Sequence, residues 1–479
     1  MIAVRCFEGR KVALFGLGGS GLSTAHALTA GGAEVAAWDD DKGARDRASA
    51  SGVAIVDLAA ASWNTFAALI LAPGVPLTHP KPHWTVALAK AVAVEIIGDI
   101  ELFCRERARL APRAAFVAMT GSNGKSTTTA LIAHILREAG RDVQMGGNIG
   151  VPVLELAPPA EGRIHVVECS SFQIDLAPTL NPSIGALLNI TPDHLDRHGA
   201  LENYAAIKER LVANADVALI GVDDELCRAI AARLQASQAR DGRPRVVTIS
   251  ALASRVSDVA VENHRIVPRG KDAMTGAIDL RGAPALRGAH NGQNAAFAFA
   301  ACRILGLDAE AIAHGFASFA GLAHRMETIG RLGRVLFVND SKATNADAAE
   351  KALLSFKDIF WIVGGKAKEG GIEPLRALFP RLAKAYLIGA ASDEFARTLK
   401  GAAPYELCGT LEAATAAAAR DALASGEPEP VVLLSPACAS YDQFANFEQR
   451  GDRFRALVVE WIDAQTVAAA PTKISRSGS

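Results

Sequence analysis

Three times along the chain an apolar, strand-like run empties into a glycine-rich turn and then into a helix-like stretch. The three are VALFGLGGSG at Val12–Gly21, FVAMTGSNGKST at Phe116–Thr127 and FWIVGGKAKEGG at Phe360–Gly371. A strand that reaches a helix through glycines opens a βαβ unit, in which parallel strands are joined by a crossover helix. Strand-like runs alternate with Ala-rich helical stretches throughout, so the predicted class is α/β with mainly parallel sheets. The chain has 479 residues. Single cores stop growing near about 250–300 residues, and one glycine turn per roughly 150 residues points to three domains.

The segment Arg105–Arg113 is charged and contains Pro112, and a linker is placed there; a second break falls at Gly321–His324. The expected division is therefore 1–111, 112–321 and 322–465. The stretch from Thr466 to Ser479 has no periodicity and reads as a disordered tail. Ala236–Arg245 is polar and reads as a surface loop. No repeat of solenoid length is present.

Lys plus Arg number 50 and Asp plus Glu 51, for a net charge of −1, which disfavours general binding to nucleic acid or anionic membranes. Half the residues are hydrophobic and 21% are charged, which excludes disorder over most of the chain. The most apolar stretches, such as Ala67–Ala72 and Val431–Leu434, meet Pro long before the roughly 20 residues a membrane helix needs. Arg5, Glu8, Arg10 and Lys11 precede any sustained apolar run, unlike an export leader. Seven cysteines, an odd count without a CxxC pair, read as reduced thiols, so the expected compartment is the cytoplasm.

TGSNGKST is the sharpest local signal. It follows an apolar run from Ala114 to Met119 and opens a helix whose apolar face is Leu131, Ile132, Ile135 and Leu136. Backbone N–H groups of Gly121, Ser122, Asn123, Gly124 and Lys125 would cradle phosphate oxygens, with Lys125 on the β/γ-phosphates and Ser126 on Mg²⁺. Met119 stands where the strict pattern has its first glycine. The competing reading is a Gly-rich turn with a solvent-facing lysine; the strand–turn–helix context favours nucleotide.

Gly16, Gly18 and Gly21 fit G-x-G-x-x-G, and Asp39 ends the following strand. This spacing suits a dinucleotide with Asp39 on a ribose hydroxyl, another nucleotide diphosphate, or a plain tight turn. Glu168 stands at the tip of a strand downstream of the P-loop, where P-loop enzymes hold Mg²⁺; a helix N-terminal acid is the alternative. Asp193, His194 and Asp196 follow a strand in LNITPDHLDRHG. Lys208 shares a helical face with Tyr204, Ile207, Leu211 and Val212, so it must snorkel, pair or be modified. His290–Asn294 reads as a helix cap. NDSKATN puts Asp340, Lys342 and Thr344 after a strand, as SPACASYDQF does for Ser435.

In this order, TGSNGKST, Glu168-Cys-Ser-Ser-Phe, Asp193-His194, His290-Asn291, His324-Arg325-Met326, NDSKATN, GGK, SPACASYDQF and NFEQRG resemble the Mur ligase family. The resemblance covers Val12 to about Phe454. It implies a Rossmann-like domain for the UDP of a substrate, a central P-loop ATPase domain and a C-terminal Rossmann-like domain for an amino acid. The last two motifs imply the member that adds D-glutamate to UDP-N-acetylmuramoyl-L-alanine through an acyl phosphate; the expected state is a monomer. The SNGKS loop and the absence of a DNPR segment argue against the member that adds a diamino acid.

The resemblance resolves the first glycine turn as UDP rather than NAD: Gly18, Gly19, Ser20, Asp39, Pro73, Gly74 and Asn148 would hold the sugar nucleotide. Gly121, Asn123, Gly124, Lys125, Ser126, Thr127, Asn291, Arg325, Asp340 and Lys342 would hold ATP. Two Mg²⁺ would sit on Ser126 and Glu168, and on His194 with Lys208 carrying CO₂ as a carbamate. Lys125, His194 and Lys208 would be catalytic. Thr344, Lys368, Ser435 and Phe444 would contact D-glutamate, although Lys366 fits the loop equally. The rival readings are a folylpolyglutamate synthetase-like ligase, an NAD-dependent oxidoreductase, which leaves Lys125 and Glu168 unused, and a non-catalytic nucleotide switch.

Overall fold

A computed structural model of the chain describes residues 1–252, 256–269, 276–368 and 370–469. The strands among them form three sheets, each containing one of the glycine turns. The first has the order Glu34–Trp38, Lys11–Phe15, Ala68–Leu71, Glu95–Ile97 and is wholly parallel. Lys11–Phe15 ends at Gly16, whose φ is +97°. A Cβ on Gly21 would lie 1.8 Å from the Gly16 carbonyl oxygen, so the helix Gly19–Ala30 packs closer to the strand than a side chain permits.

The second sheet has nine strands. Its parallel part runs Val259–Glu262, Arg245–Ser250, Val217–Gly221, Ile184–Leu187, Phe116–Thr120, Ile164–Glu168, Val143–Gly147. Arg265–Pro268 and Ile278–Asp279 extend one edge as an antiparallel ribbon. The third sheet has an antiparallel edge, Glu327–Leu332, and then the parallel strands Val335–Asn339, Val431–Leu434, Ile359–Gly364, Leu382–Ile388 and Tyr405–Gly409. The inner strands are buried on both faces, which is why they read as continuous Val/Ile/Leu runs rather than alternating ones.

Two compact units result: residues 1–282 with 290–319, and residues 283–289 with 320–479. The first two sheets share the first unit, and one apolar core runs through both, containing Val12, Leu14, Phe103, Phe116, Val153 and Val167.

Three local expectations are corrected. The predicted linker at 105–113 is largely helix, since Asp99–Leu110 is continuous. The charges of Arg105, Glu106 and Arg107 are partnered rather than left to solvent. The Glu106 Oε1 accepts from the backbone N–H groups of Arg5 (2.7 Å) and Cys6 (2.8 Å), and the Arg107 Nε donates to the Ala114 carbonyl at 2.9 Å. The predicted loop at 236–245 is helix as far as Asp241, where Gly242 (φ +76°) ends Glu225–Asp241. The first four residues of the tail expected from Thr466 are helix, since Phe447–Ala469 runs through them; residues 470–479 lie outside the described residues.

No described helix is long and apolar enough to cross a membrane. All seven cysteines are free. Burial pushes every thiol above its usual range: Cys6 and Cys408 to about 11, Cys104 and Cys438 to about 12, Cys227 and Cys302 further still, and Cys169 well above its usual value.

Candidate active site

Phe116–Thr120 is an inner strand, flanked by Ile164–Glu168 and Ile184–Leu187, so its C-terminal end opens between two neighbouring strand tips. The chain leaves it through Gly121 (φ +154°) and Gly124 (φ +83°) and enters the helix Lys125–Glu138. No side chain caps that helix, so its first N–H groups face the loop as an anion cradle. A Cβ on Gly124 would lie 2.4 Å from the Asn294 Oδ1. Asn294 accepts from the Thr128 hydroxyl and donates to the Asn291 Oδ1, both at 3.1 Å. The HNGQN segment is thereby brought against the P-loop helix. The Lys125 Nζ arches back to donate to the carbonyls of Gly121 (2.9 Å) and Ser122 (2.8 Å). The Asn123 N–H donates to the Asn189 Oδ1 at 2.8 Å. Ser126 is buried and Thr127 half-buried in the first helical turn.

Lys208 does not snorkel. It is 1% exposed on the helix Leu201–Ala213. Its Nζ donates to the Thr120 Oγ1 (3.1 Å) and the Gly121 carbonyl (2.9 Å) and lies 4.5 Å from the Tyr204 ring centroid. Burial, and next the charge of Lys125, bring its ammonium down to about 7. Glu168 is buried; its Oε1 accepts from the Asn148 Nδ2 at 2.9 Å. Its Oε2 is buried with no hydrogen-bond partner among the described residues. A desolvated carboxylate oxygen without a donor is costly unless a cation sits against it. A carboxylate oxygen is a hard donor, the chemistry that suits Mg²⁺. No cluster of three or more His, Cys, Asp or Glu side chains is placed to hold a metal among the described residues. The expected set holds only Glu168 and His194 of those types, so such a cluster is not what it requires.

His194 is exposed, at φ +52°, and caps the short helix Leu195–His198. Its Nε2 is 3.5 Å from the Asp193 Oδ2, and its ring centroid is 5.1 Å from that of Phe172. His198, unremarked in the sequence, stacks on Phe172 at 5.2 Å and shares a hydrogen bond with the Ser171 hydroxyl at 2.9 Å. Burial, then the positive charges of His194, Lys208 and Arg197, hold His198 down to about 4.

At the first glycine turn Gly18 and Gly19 face open space, where a Cβ would meet nothing within 4 Å. Ser20 and Pro73 line a small cavity with Thr24 and Asp99. The Asp39 carboxylate accepts from the N–H groups of Leu17 (2.6 Å) and Asp41 (2.9 Å), so it braces the turn itself. The Gly74 carbonyl accepts from the Arg197 Nη1 at 2.8 Å.

In the second unit Asp340 is buried at the end of Val335–Asn339. It accepts from the Ser435 hydroxyl (2.8 Å) and the Met326 N–H (3.2 Å), and burial pushes its carboxyl up to about 7. The structure thus pairs Asp340 with Ser435, at the tips of adjacent strands. Lys342 lies 3.8 Å from the Phe447 ring centroid, and its N–H donates to the His324 carbonyl, one residue before Arg325. Thr344 is half-buried on the same loop. Lys366 and Lys368 are both exposed after Gly364 and Gly365; Lys366 pairs its backbone with Ala439, whereas Lys368 accepts from the Gly371 N–H. Phe444 packs half-buried against an apolar cluster that includes Leu411 and Leu434. Arg450 was not anticipated. Buried, it donates to the Ser341 hydroxyl (3.0 Å) and carbonyl (2.8 Å) and to the Cys438 carbonyl, tying two site loops together.

Residues 119–302 match the Mur ligase middle domain and residues 324–438 the Mur ligase glutamate ligase domain. A UDP-N-acetylmuramoylalanine--D-glutamate ligase from Nitrobacter hamburgensis is 59% identical over 461 residues, covering 96% of this chain and 98% of the relative. One from Brucella abortus is 57% identical over 460 residues, covering 96% and 97%. Among solved structures, the UDP-N-acetylmuramate-alanine ligase of Thermotoga maritima superposes with a TM-score of 0.58 at 18% identity, over 95% of this chain and 99% of that one, a likeness of fold. The P-loop, the buried carboxylate and lysine beside it, and near-complete correspondence with such relatives lead to one conclusion: the chain belongs to the Mur ligase family.

Proposed function

We propose that the chain joins UDP-N-acetylmuramoyl-L-alanine to D-glutamate as an ATP-dependent amide ligase, in the cytoplasmic synthesis of peptidoglycan precursors. The substrate pair is that of the Nitrobacter relative's name. The observation that carries the reading is Glu168 with its unpartnered Oε2, in the strand beside the P-loop strand whose Thr120 and Gly121 hold buried Lys208. An oxidoreductase has no use for that group, and a nucleotide switch needs no second lysine.

The Gly121–Lys125 loop binds the phosphates of ATP through backbone N–H groups, and Lys125 swings from its own carbonyls onto the transferring phosphoryl. Asn291 and Thr127 contact the nucleotide, as do Arg325, Asp340 and Lys342 of the second unit. Ser126 and Glu168 would hold one Mg²⁺; His194 and Lys208, the latter carrying CO₂ as a carbamate, would hold a second. Bound there, the ions neutralise the repulsion between a carboxylate and a triphosphate. A lysine held near 7 is partly neutral at physiological pH, the form that reacts with CO₂. The acceptor carboxylate attacks the γ-phosphorus and ADP leaves. The D-glutamate amine then attacks the acyl carbon, and phosphate departs from the tetrahedral intermediate as the amide forms.

The residues 1–111 take the sugar nucleotide through Gly18, Gly19, Ser20, Asp39, Pro73 and Gly74, with Asn148 of the second sheet. The residues 112–321 take ATP. The residues 322–465 take D-glutamate through Thr344, Ser435 and Phe444 with Lys368, and Lys366, exposed on the same loop, fits equally. The chain acts as a monomer. Phosphate release measured over a panel of acceptors and amino acids tests the reading. Release should require both the muramoyl-alanine nucleotide and D-glutamate, and turnover of a folate acceptor would overturn it.

A further inference from the structure

Phe172 lies in the short helix that follows Glu168, and three side chains of the 194–198 turn converge on its ring. His194 tilts against it, His198 stacks on it, and the Arg197 guanidinium lies 4.8 Å from its centroid. Arg197 also reaches out of the turn. Its Nη1 donates to the Gly74 carbonyl, in the loop after the first-sheet strand Ala68–Leu71. The same two segments meet again at Gly199, where a Cβ would lie 2.8 Å from the His79 ring. The Arg197 Nε is buried with no hydrogen-bond partner among the described residues. That side chain is thus held by its Nη1 and its contact with the ring, with a donor to spare.

His194 itself has little holding it. It is exposed, and its left-handed backbone costs roughly 1–3 kcal/mol for a non-glycine residue, so its neighbours fix the turn. The neighbour that also grips the first sheet is Arg197. We infer that Arg197 is a positioning residue that couples occupancy of the 73–74 loop to the setting of His194, making the sugar nucleotide and Mg²⁺ bind cooperatively. The inference rests on the functional reading above. A ligand drawing the Gly74 loop into place fixes the guanidinium, which fixes the Phe172 stack and the His194 ring. The dependence runs equally in the other direction, because coupling between two ligands is reciprocal.

The test is equilibrium binding, without turnover. Calorimetry of UDP-N-acetylmuramoyl-L-alanine into the full chain, with and without Mg²⁺ and with neither ATP nor D-glutamate, gives a ratio of dissociation constants. Wild type should bind about 5-fold or more tightly with Mg²⁺, the lower end of measured couplings. In Arg197→Ala the ratio should fall towards one, while the Mg²⁺-free affinity changes by less than about 3-fold. Arg197→Lys, which keeps one donor towards Gly74, should recover part of the ratio. Phe172→Leu, which removes the ring but leaves Arg197, should lower it as Arg197→Ala does and serves if that variant does not fold. A wild-type ratio of one overturns the inference, as does an unchanged ratio in the variants or an equal weakening with and without Mg²⁺. Absence of any nucleotide binding by wild type would instead overturn the functional reading.

Discussion

A lysine buried to 1% exposure and held near 7 is in an unusual state for a helix residue, and its chemistry can be separated from its packing. Lys208→Ala should lower turnover by about 10²-fold or more, as expected for loss of a group beside the transferring phosphate, while circular dichroism shows the fold retained. Acetate at high concentration should restore part of the rate if a carbamate oxygen has been lost. Near-normal turnover would remove the carbamate from the mechanism. Two other residues leave marks on stability of opposite sign. His198 titrates near 4 when folded and at 6.5 when unfolded. Between those values only the unfolded chain binds the proton, so stability rises with pH across the window and is lost as pH falls through it. Asp340 moves from 3.8 unfolded to about 7 folded. There the folded chain holds the extra proton, so stability declines as pH climbs from about 4 to 7. Urea denaturation over a pH series should show each slope flattened in His198→Gln and Asp340→Asn respectively; unchanged slopes would refute the assignments.

Among the elements, the two glycine turns in the first unit call for different substitutions. Gly124 has φ +83°, and its Cβ would strike Asn294. Gly124→Ala should therefore cost about 1–3 kcal/mol of stability as well as turnover. Gly18 has φ −68° and open space, so Gly18→Ala should unfold at the wild-type temperature yet raise KM for the sugar nucleotide by crowding its diphosphate. Thermal unfolding and KM measured on both variants distinguish a glycine needed by the backbone from one needed by a ligand. Such turns were legible in the sequence because a strand, a glycine turn and a helix are local and periodic. Lys208 stood out for a similar reason, as a charge in an apolar stripe. What could not be read is long-range. The end of the helix Asp99–Leu110, from Arg105 on, looked like a linker because its charges find their partners far away, Glu106 and Arg5 being separated by 101 positions. The bond between Ser435 and Asp340 spans 95 positions, and His198 gained meaning only when Phe172 and Ser171 closed around it. In the 236–241 stretch, polar composition concealed a helix that continues to a glycine stop.

For the whole molecule, amino-acid selection is the property to test. A site that binds both glutamate carboxylates at once accepts one enantiomer, so L-glutamate should support less than about one-hundredth of the rate with D-glutamate. That corresponds to about 2.7 kcal/mol or more, of the order expected when buried polar partners go unmet. Equal rates, read as phosphate release, would place the specificity elsewhere. The seven thiols give the protein a different practical property. Each is raised well above its usual value, so at neutral pH almost none is thiolate, the form that maleimides attack. One cysteine introduced at an exposed position such as Tyr441 would be the sole fast-reacting sulfur on the chain. A fluorophore could then be attached to the otherwise native background, and its emission followed as D-glutamate is added.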